Sequence, residues 1–239
     1  HRANGLDLRT GWTVTAIGLA DRTVSATTDT GGQEVVPFDQ LVIGTGAVPL
    51  RPPIPGIDLP GVHGVQTLDD GLRVLDSMHR DPTRAVVIGA GYIGIEMAEA
   101  MKRRGLQVTV VDQAPQPMTT LDPDMGALIA QAMEGMGISY RGGEPVQAIE
   151  AGDSGRAAAV VTERGTYPAD IVVLGLGVRP NTGLAAAAGL PLGERGGLLT
   201  DDRMQVLDHP GIWAGGDCVE VVDRITGRRL HVPLGTHAN

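Results

Sequence analysis

The stretch RAVVIGAGYIG, residues 84–94, decides how this chain folds. Arg84–Ile88 is a short β-rich apolar run, and it leads directly into a G-x-G-x-x-G formed by Gly89, Gly91 and Gly94. That pattern alone is weak, but here a strand precedes it and a helical pattern follows. Ile93, Met97 and Met101 recur at helical spacing and mark the expected inward stripe. Glu96 and Glu99 lie toward the start, Lys102–Arg104 lie at the end, and Gly105 suits the stop, an order that matches the helix dipole and its capping. Leu106–Val111 then reads as a second strand, closed by Asp112.

Each of these residues has a physical reason to be there. Gly89 permits the tight turn, Gly91 leaves room for a pyrophosphate against the backbone, and Gly94 lets the helix pack closely on the strand. The helix N-terminus offers unpaired N–H groups to phosphate. Asp112 stands where an acid accepts the ribose hydroxyls of NAD and repels a 2′-phosphate, so NAD(H) is expected over NADP(H); Gln113, not an arginine, follows it. A flavodoxin-like unit with a chance glycine triplet is the alternative.

Beyond Asp112 the chain turns through Pro115 and Pro117. A helix is expected from Pro123 to Met136, with Asp122 as N-cap and with Met125, Leu128, Ile129, Ala132, Met133 and Met136 facing inward as core filler. A longer pattern then emerges. The segment from Val14 and the segment from Val146 share one plan: short alternating strands joined by polar turns, then an apolar run ending in Gly-x-Gly. Asp39 corresponds to Asp170, Gly44 to Gly175, Gly46 to Gly177 and Pro49 to Pro180, all at one offset. The apolar runs Leu41–Ile43 and Ile171–Leu174 are expected to be covered on both faces. The fold class is therefore α/β, with two Rossmann-like dinucleotide-binding domains of which the first is incomplete. The N-terminal part of that first domain is expected upstream of His1.

The bulk numbers exclude other classes. The chain has 239 residues, a formal net charge of −9 and 42% hydrophobic residues. No basic cluster exceeds Lys102–Arg104, so nucleic acid is not an expected partner. No apolar run reaches the length of a membrane span. The single cysteine, Cys218, forbids an internal disulfide and fits a cytoplasmic location. No metal site is expected.

Four stretches carry a family resemblance: residues 41–46 (LVIGTG), 89–96 (GAGYIGIE), 175–181 (GLGVRPN) and 212–218 (IWAGGDC). In this order they resemble the FAD-dependent pyridine nucleotide–disulfide oxidoreductases, nearest the group of coenzyme A disulfide reductase, NADH oxidase and NADH peroxidase. The final HVPLGTHAN resembles the segment that passes the flavin in that group. The resemblance implies an FAD-binding domain in residues 1–80 and 199–239, split by an NAD(P)-binding domain in residues 81–198. It places Val14, Thr45, Gly46, Ala47, Asp217, Gly235 and Thr236 along FAD, with Asp217 on a ribityl hydroxyl. Capping the next helix is the alternative role of Asp217. It places Gly89, Gly91, Tyr92, Ile93, Gly94, Asp112, Gly177 and Pro233 along NAD. Glu96 and Tyr92 become nicotinamide-side candidates, although simple packing also explains Tyr92.

No catalytic residue is expected within the chain itself. The resemblance puts the redox cysteine upstream, and Cys218 reads as a buried thiol rather than a nucleophile. The implied activity is a flavin-dependent NAD(P)H oxidoreductase carrying hydride from NADH to FAD and on to a disulfide, oxygen or peroxide. Its partner is a small-molecule electron acceptor, and the full-length protein is expected to be a homodimer. The alternatives are a non-catalytic NAD(H)-binding sensor or docking module, and a dehydrogenase that uses NAD alone.

Overall fold

The computed structural model describes residues 5–233 and resolves the chain into two compact units. One comprises His1–Val48 with Arg179–Asn239, the other Pro49–Val178. In the first unit, β1 (Trp12–Gly18), β2 (Thr23–Thr28) and β3 (Gln33–Pro37) form an antiparallel sheet, followed by β4 (Leu41–Ile43). The limit of the unit falls in β5 (Ala47–Pro49).

The second unit then runs β6 (Val62–Gly64), α1 (Leu68–Met78), β7 (Arg84–Ile88), α2 (Tyr92–Arg103), β8 (Gln107–Asp112), α3 (Pro123–Gly135) and β9 (Ile138–Gly142). It continues through β10 (Val146–Ala151), β11 (Ala157–Thr162), β12 (Thr166–Pro168) and β13 (Ile171–Leu174). The chain leaves this unit at β14 (Val178–Pro180) and returns to the first through α4 (Gly183–Ala187), β15 (Leu198–Leu199), β16 (Ile212–Ala214), β17 (Val219–Val222) and β18 (Arg229–Leu230).

The second unit is built on a five-stranded sheet, in the order β6-β13-β7-β8-β9, with every pairing parallel. Its apolar strands are continuous because both faces are covered. Val87, Val110 and Val173 face a core that holds Val74 of α1, Ala98 and Met101 of α2, and Met133 of α3. Val86, Ile88 and Val172 face the opposite way, against Ile149, Val160 and Ala169, where β10-β11-β12 forms an antiparallel sheet. Each fully buried valine contributes roughly 1.5–3 kcal/mol. In the first unit β4 pairs in parallel with β16, and Ile43 joins a core with Leu198, Val206, Ile212, Ala214, Cys218 and Val219.

Several expectations change. The compact units divide near residues 48 and 178, not at 80 and 198, because β6 pairs with β13 and Val74 of α1 packs into the core beneath β7. The α1 start was legible in a capping box, Thr67 with Asp70, in which the threonine hydroxyl and the aspartate carboxylate each take the other residue's backbone N–H. On α2 the buried line is Gly94, Ala98 and Met101, while Ile93 is exposed. On α3 only Gly126 and Met133 are buried; Met125, Leu128 and Met136 are exposed. Asp122 occupies the N-cap position of α3 but makes no side-chain cap bond. Finally, Ile171–Leu174 is buried throughout, whereas among the described residues Val42 of β4 is 72% exposed.

Candidate functional site

Three glycines meet at the carboxyl end of β7. Gly89 has φ +98°, a conformation that L side chains rarely adopt, and a Cβ there would strike the carbonyl oxygen of Gly175. A Cβ on Gly94 would strike the carbonyl oxygen of Gly89, and one on Gly175 would lie 2.7 Å from the Gly94 Cα. The turn, the helix start and the end of β13 are thus in backbone contact. Gly91 differs: a Cβ there would meet nothing within 4 Å. It is the N-cap of α2, and no side chain caps the helix. The open space beside Gly91 and the uncapped N–H groups together form a cradle suited to a pyrophosphate.

Asp112 closes β8 beside this turn. Its Oδ2 accepts from the Ala90 N–H at 2.6 Å and its Oδ1 from the Ala114 N–H at 2.7 Å. Each oxygen keeps a second lone-pair direction, so the carboxylate is held in place and can still accept sugar hydroxyls. The Tyr140 hydroxyl donates to the Ala114 carbonyl at 3.2 Å, and burial together with the nearby Asp112 charge pushes the Tyr140 phenol up to about 12. Tyr92 and Ile93 are exposed on the first turn of α2, and Glu96 is exposed one turn on. Gly177, with φ +84°, follows the end of β13.

In the first unit, two glycine-rich segments leave adjacent parallel strands. β4 runs into Gly44, Thr45, Gly46 and Ala47, while β16 runs into Gly215, Gly216 and Asp217. The Gly215 N–H donates to the Ile43 carbonyl at 3.1 Å, which fixes the two strand ends side by side. A Cβ on Gly44, Gly46, Gly215 or Gly216 would meet nothing within 4 Å. The carboxyl ends of parallel strands are where α/β sheets bind ligands. Asp217 is half-buried, and among the described residues its carboxylate has no hydrogen-bond partner, which leaves it available to a sugar hydroxyl. This arrangement fits the ribityl chain and backbone approach that FAD requires.

The surrounding loop is fixed by Asn181, whose carbonyl accepts from the Thr45 hydroxyl at 2.6 Å and whose N–H donates to the Gly46 carbonyl at 2.9 Å. His231 Nε2 lies 2.9 Å from the Asp217 carbonyl oxygen, which can accept from an Nε2–H. Cys218 is fully buried, with Sγ near the Ile43 and Gly215 carbonyls, in keeping with a packing thiol. Val14 sits in β1 at a bulge in its pairing with β2. Pro233 is exposed, and Gly235 and Thr236 lie outside the described residues.

Sequence reasoning did not find Ala90, Asn181, Tyr140 or the packing role of Gly175. For Gly175 a signal existed in the repeated Gly-x-Gly. Ala90 and Asn181 act mainly through backbone groups, which leave no mark on residue type, and Tyr140 reaches the Ala114 carbonyl from a strand 26 residues away in sequence.

The chain belongs to the pyridine nucleotide-disulphide oxidoreductase family, which matches residues 1–232. It is 38% identical to an NADH oxidase of Methanocaldococcus jannaschii, over 99% of this chain and 52% of that protein. Among solved structures it is similar to an NAD-dependent persulfide reductase from A. fulgidus, with a TM-score of 0.94, 33% identity and coverage of 99% of this chain and 43% of the other. It is also similar to an engineered water-forming NADPH oxidase bound to NADPH, derived from an NADH oxidase of Lactobacillus brevis, with a TM-score of 0.88, 30% identity and coverage of 95% and 50%. That engineered enzyme replaces a glycine by alanine, an aspartate by alanine and the residue after the aspartate by arginine; the glycine and aspartate have the same spacing as Gly94 and Asp112. The chain spans about half the length of the curated relatives it matches.

Proposed function

We propose that this chain is the dinucleotide-binding part of a flavin-dependent NADH oxidoreductase, with the NAD site in the second unit and the FAD site in the first. The observation that carries this reading is the contact of Gly89, Gly94 and Gly175 beside an open Gly91, with the Asp112 carboxylate held at the neighbouring strand end. FAD, when bound, supplies the ring that takes hydride from NADH and passes electrons to a disulfide, oxygen or peroxide.

The chain's own residues bind and orient. Gly89, Gly91 and Gly94 shape the cradle for the NAD pyrophosphate, Gly177 adds a backbone contact, and Asp112 takes the adenosine ribose hydroxyls. Ile93 adds an NAD contact, and Tyr92 and Glu96 stand on the nicotinamide side. Thr45, Gly46 and Ala47 line FAD, and Asp217 receives a ribityl hydroxyl. Val14, Gly235 and Thr236 complete the FAD assignments. The full-length protein acts as a cytoplasmic homodimer on a small-molecule acceptor. The relatives are named for different reactions, persulfide reduction in one and water-forming NADPH oxidation in another.

Purified full-length protein tests the reading. Bound flavin absorbance that bleaches on anaerobic NADH addition is the expected result. A colourless protein that gains no flavin spectrum on FAD addition overturns the flavin reading, and flavin that NADH leaves oxidised favours a sensor. Asp112→Arg is expected to lower kcat/KM for NADH by about tenfold or more and to raise it for NADPH, because a carboxylate that repels a 2′-phosphate becomes a guanidinium that attracts it. An unchanged preference removes the role given to Asp112.

A further inference from the structure

The acid that reads the ribose belongs to a larger bonded unit. Ala90, inside the glycine turn, is held through both sides of its backbone: its N–H donates to Asp112 Oδ2 at 2.6 Å, and its carbonyl accepts from the Met118 N–H at 2.9 Å. Asp112 in turn holds the Ala114 N–H at 2.7 Å, and the Ala114 carbonyl accepts from the Gly143 N–H at 2.8 Å and from the Tyr140 hydroxyl at 3.2 Å. The Asp112 carbonyl accepts from the Glu144 N–H at 2.8 Å. Met118 sits at φ 53°, an uncommon conformation for a residue with a side chain. A Cβ on Gly142 would strike the Pro115 carbonyl and lie 2.8 Å from Tyr140 Cε1, so the loop after the acid lies directly against β9.

Tyr140 secures the loop that follows the acid through its side-chain hydroxyl. Burial and the Asp112 charge keep the Tyr140 phenol protonated, and therefore a donor, throughout the ordinary pH range. Linked bonds in a half-buried setting stiffen one another.

We propose that Tyr140 is a positioning residue for cofactor choice: through the Ala114 carbonyl it holds the Asp112 carboxylate against Ala90, so that the acid reading the ribose and the turn receiving the pyrophosphate move as one piece. This inference rests on reading residues 89–112 as the NADH site. Loss of the hydroxyl leaves the Ala114 carbonyl to the Gly143 amide alone and frees the carboxylate to wander. NADH depends on a well-placed acid and loses affinity; NADPH is repelled by that acid and loses less.

The test compares wild type and Tyr140→Phe as full-length, flavin-loaded enzyme, with NADH and NADPH as donors and with amide exchange followed at Ala90. Tyr140→Phe is expected to raise KM for NADH about fivefold with kcat nearly unchanged, and to lower the NADH-to-NADPH ratio of kcat/KM by a similar factor. Exchange of the Ala90 N–H, bonded to Asp112, is expected to quicken. A folded Tyr140→Phe enzyme that keeps both the wild-type KM and the wild-type ratio overturns the inference while leaving the NADH site intact. A fall in kcat alone also overturns it, because holding the ribose acid acts on binding. Wild-type enzyme that binds neither dinucleotide overturns the site reading and this inference together.

Discussion

β4 and β13 end in the same Gly-x-Gly and follow the same pattern of short antiparallel strands, yet the two copies are held differently. β13 lies between β6 and β7, and all four of its residues are buried. β4 has one strand neighbour among the described residues, β16, and its Val42 is 72% exposed. Gly175 is wedged against the Gly94 backbone, whereas a side chain on Gly44 would meet nothing within 4 Å. Asp170, at the start of β13, accepts from the Thr83 and Arg84 N–H groups, the Thr83 hydroxyl and the Arg84 guanidinium. At Asp39 the backbone carbonyl accepts from Arg22, while the side chain is exposed. At β13 a glycine turn and helix lie beside the pattern and make its small residues packing requirements; at β4, among the described residues, the same small residues border open space at a strand end.

This contrast can be broken most sharply at the glycines. Gly89→Ala must hold a Cβ at φ +98° and against the Gly175 carbonyl, so it is expected to destabilise the second unit by about 3 kcal/mol and to abolish measurable NADH binding. Gly44→Ala is expected to change stability by less than about 0.5 kcal/mol. Denaturant unfolding of both variants, with NADH titration of the first, gives the comparison. Equal costs at the two positions would mean that the copies are equally packed.

How much of this was legible depends on what each feature asks of residue type. The β7–turn–α2–β8 unit was legible because a tight turn and a close helix approach admit few residues other than glycine. The repeat was legible because aspartate, glycine and proline recur at one offset. The inward face of α2 was misread for the same reason that makes the unit work: the helix lies so close to the sheet that Gly94 and Ala98 occupy the buried line, and a search for large apolar residues selects Ile93 instead. The exposed methionines and leucine of α3 misled in the same way. The amide bonds to Asp112 were not legible, since Ala90 and Ala114 contribute only backbone. β6 and α1 precede the boundary expected at residue 80 yet fall within the compact unit Pro49–Val178, a grouping that three residues of strand carry too little pattern to reveal.

The apolar strands sharpen the comparison at intermediate cost. Val172→Thr keeps the shape of the side chain but puts a hydroxyl into the core with Val86, Ile149 and Val160, and is expected to cost about 2 kcal/mol in unfolding free energy. The corresponding change on the open strand, Val42→Thr, is expected to fall within about 0.5 kcal/mol of wild type. A large cost at Val42 would show that this face is covered in the full-length protein.

The smallest effect separates the two aspartates. The Arg84 guanidinium, aided by the Thr83 and Arg84 backbone amides and opposed by partial burial, holds Asp170 well below the usual carboxylate range. A carboxylate depressed in the folded state stabilises it above its unfolded pKa, about 3.9, and loses that contribution as pH falls from there toward the folded value. Wild type should therefore show a decline in unfolding free energy below about pH 4 that is shallower in Asp170→Asn. Near neutral pH that variant is expected to be less stable by only about 1 kcal/mol, because Asp170 and Arg84 are both partly exposed and water screens the pair. Asp39→Asn removes none of these bonds, so its curve should overlay that of wild type. If Asp170→Asn retains the full acid decline, the clamp at the start of β13 is not what the pH profile reports, and the difference between the two copies reduces to packing alone.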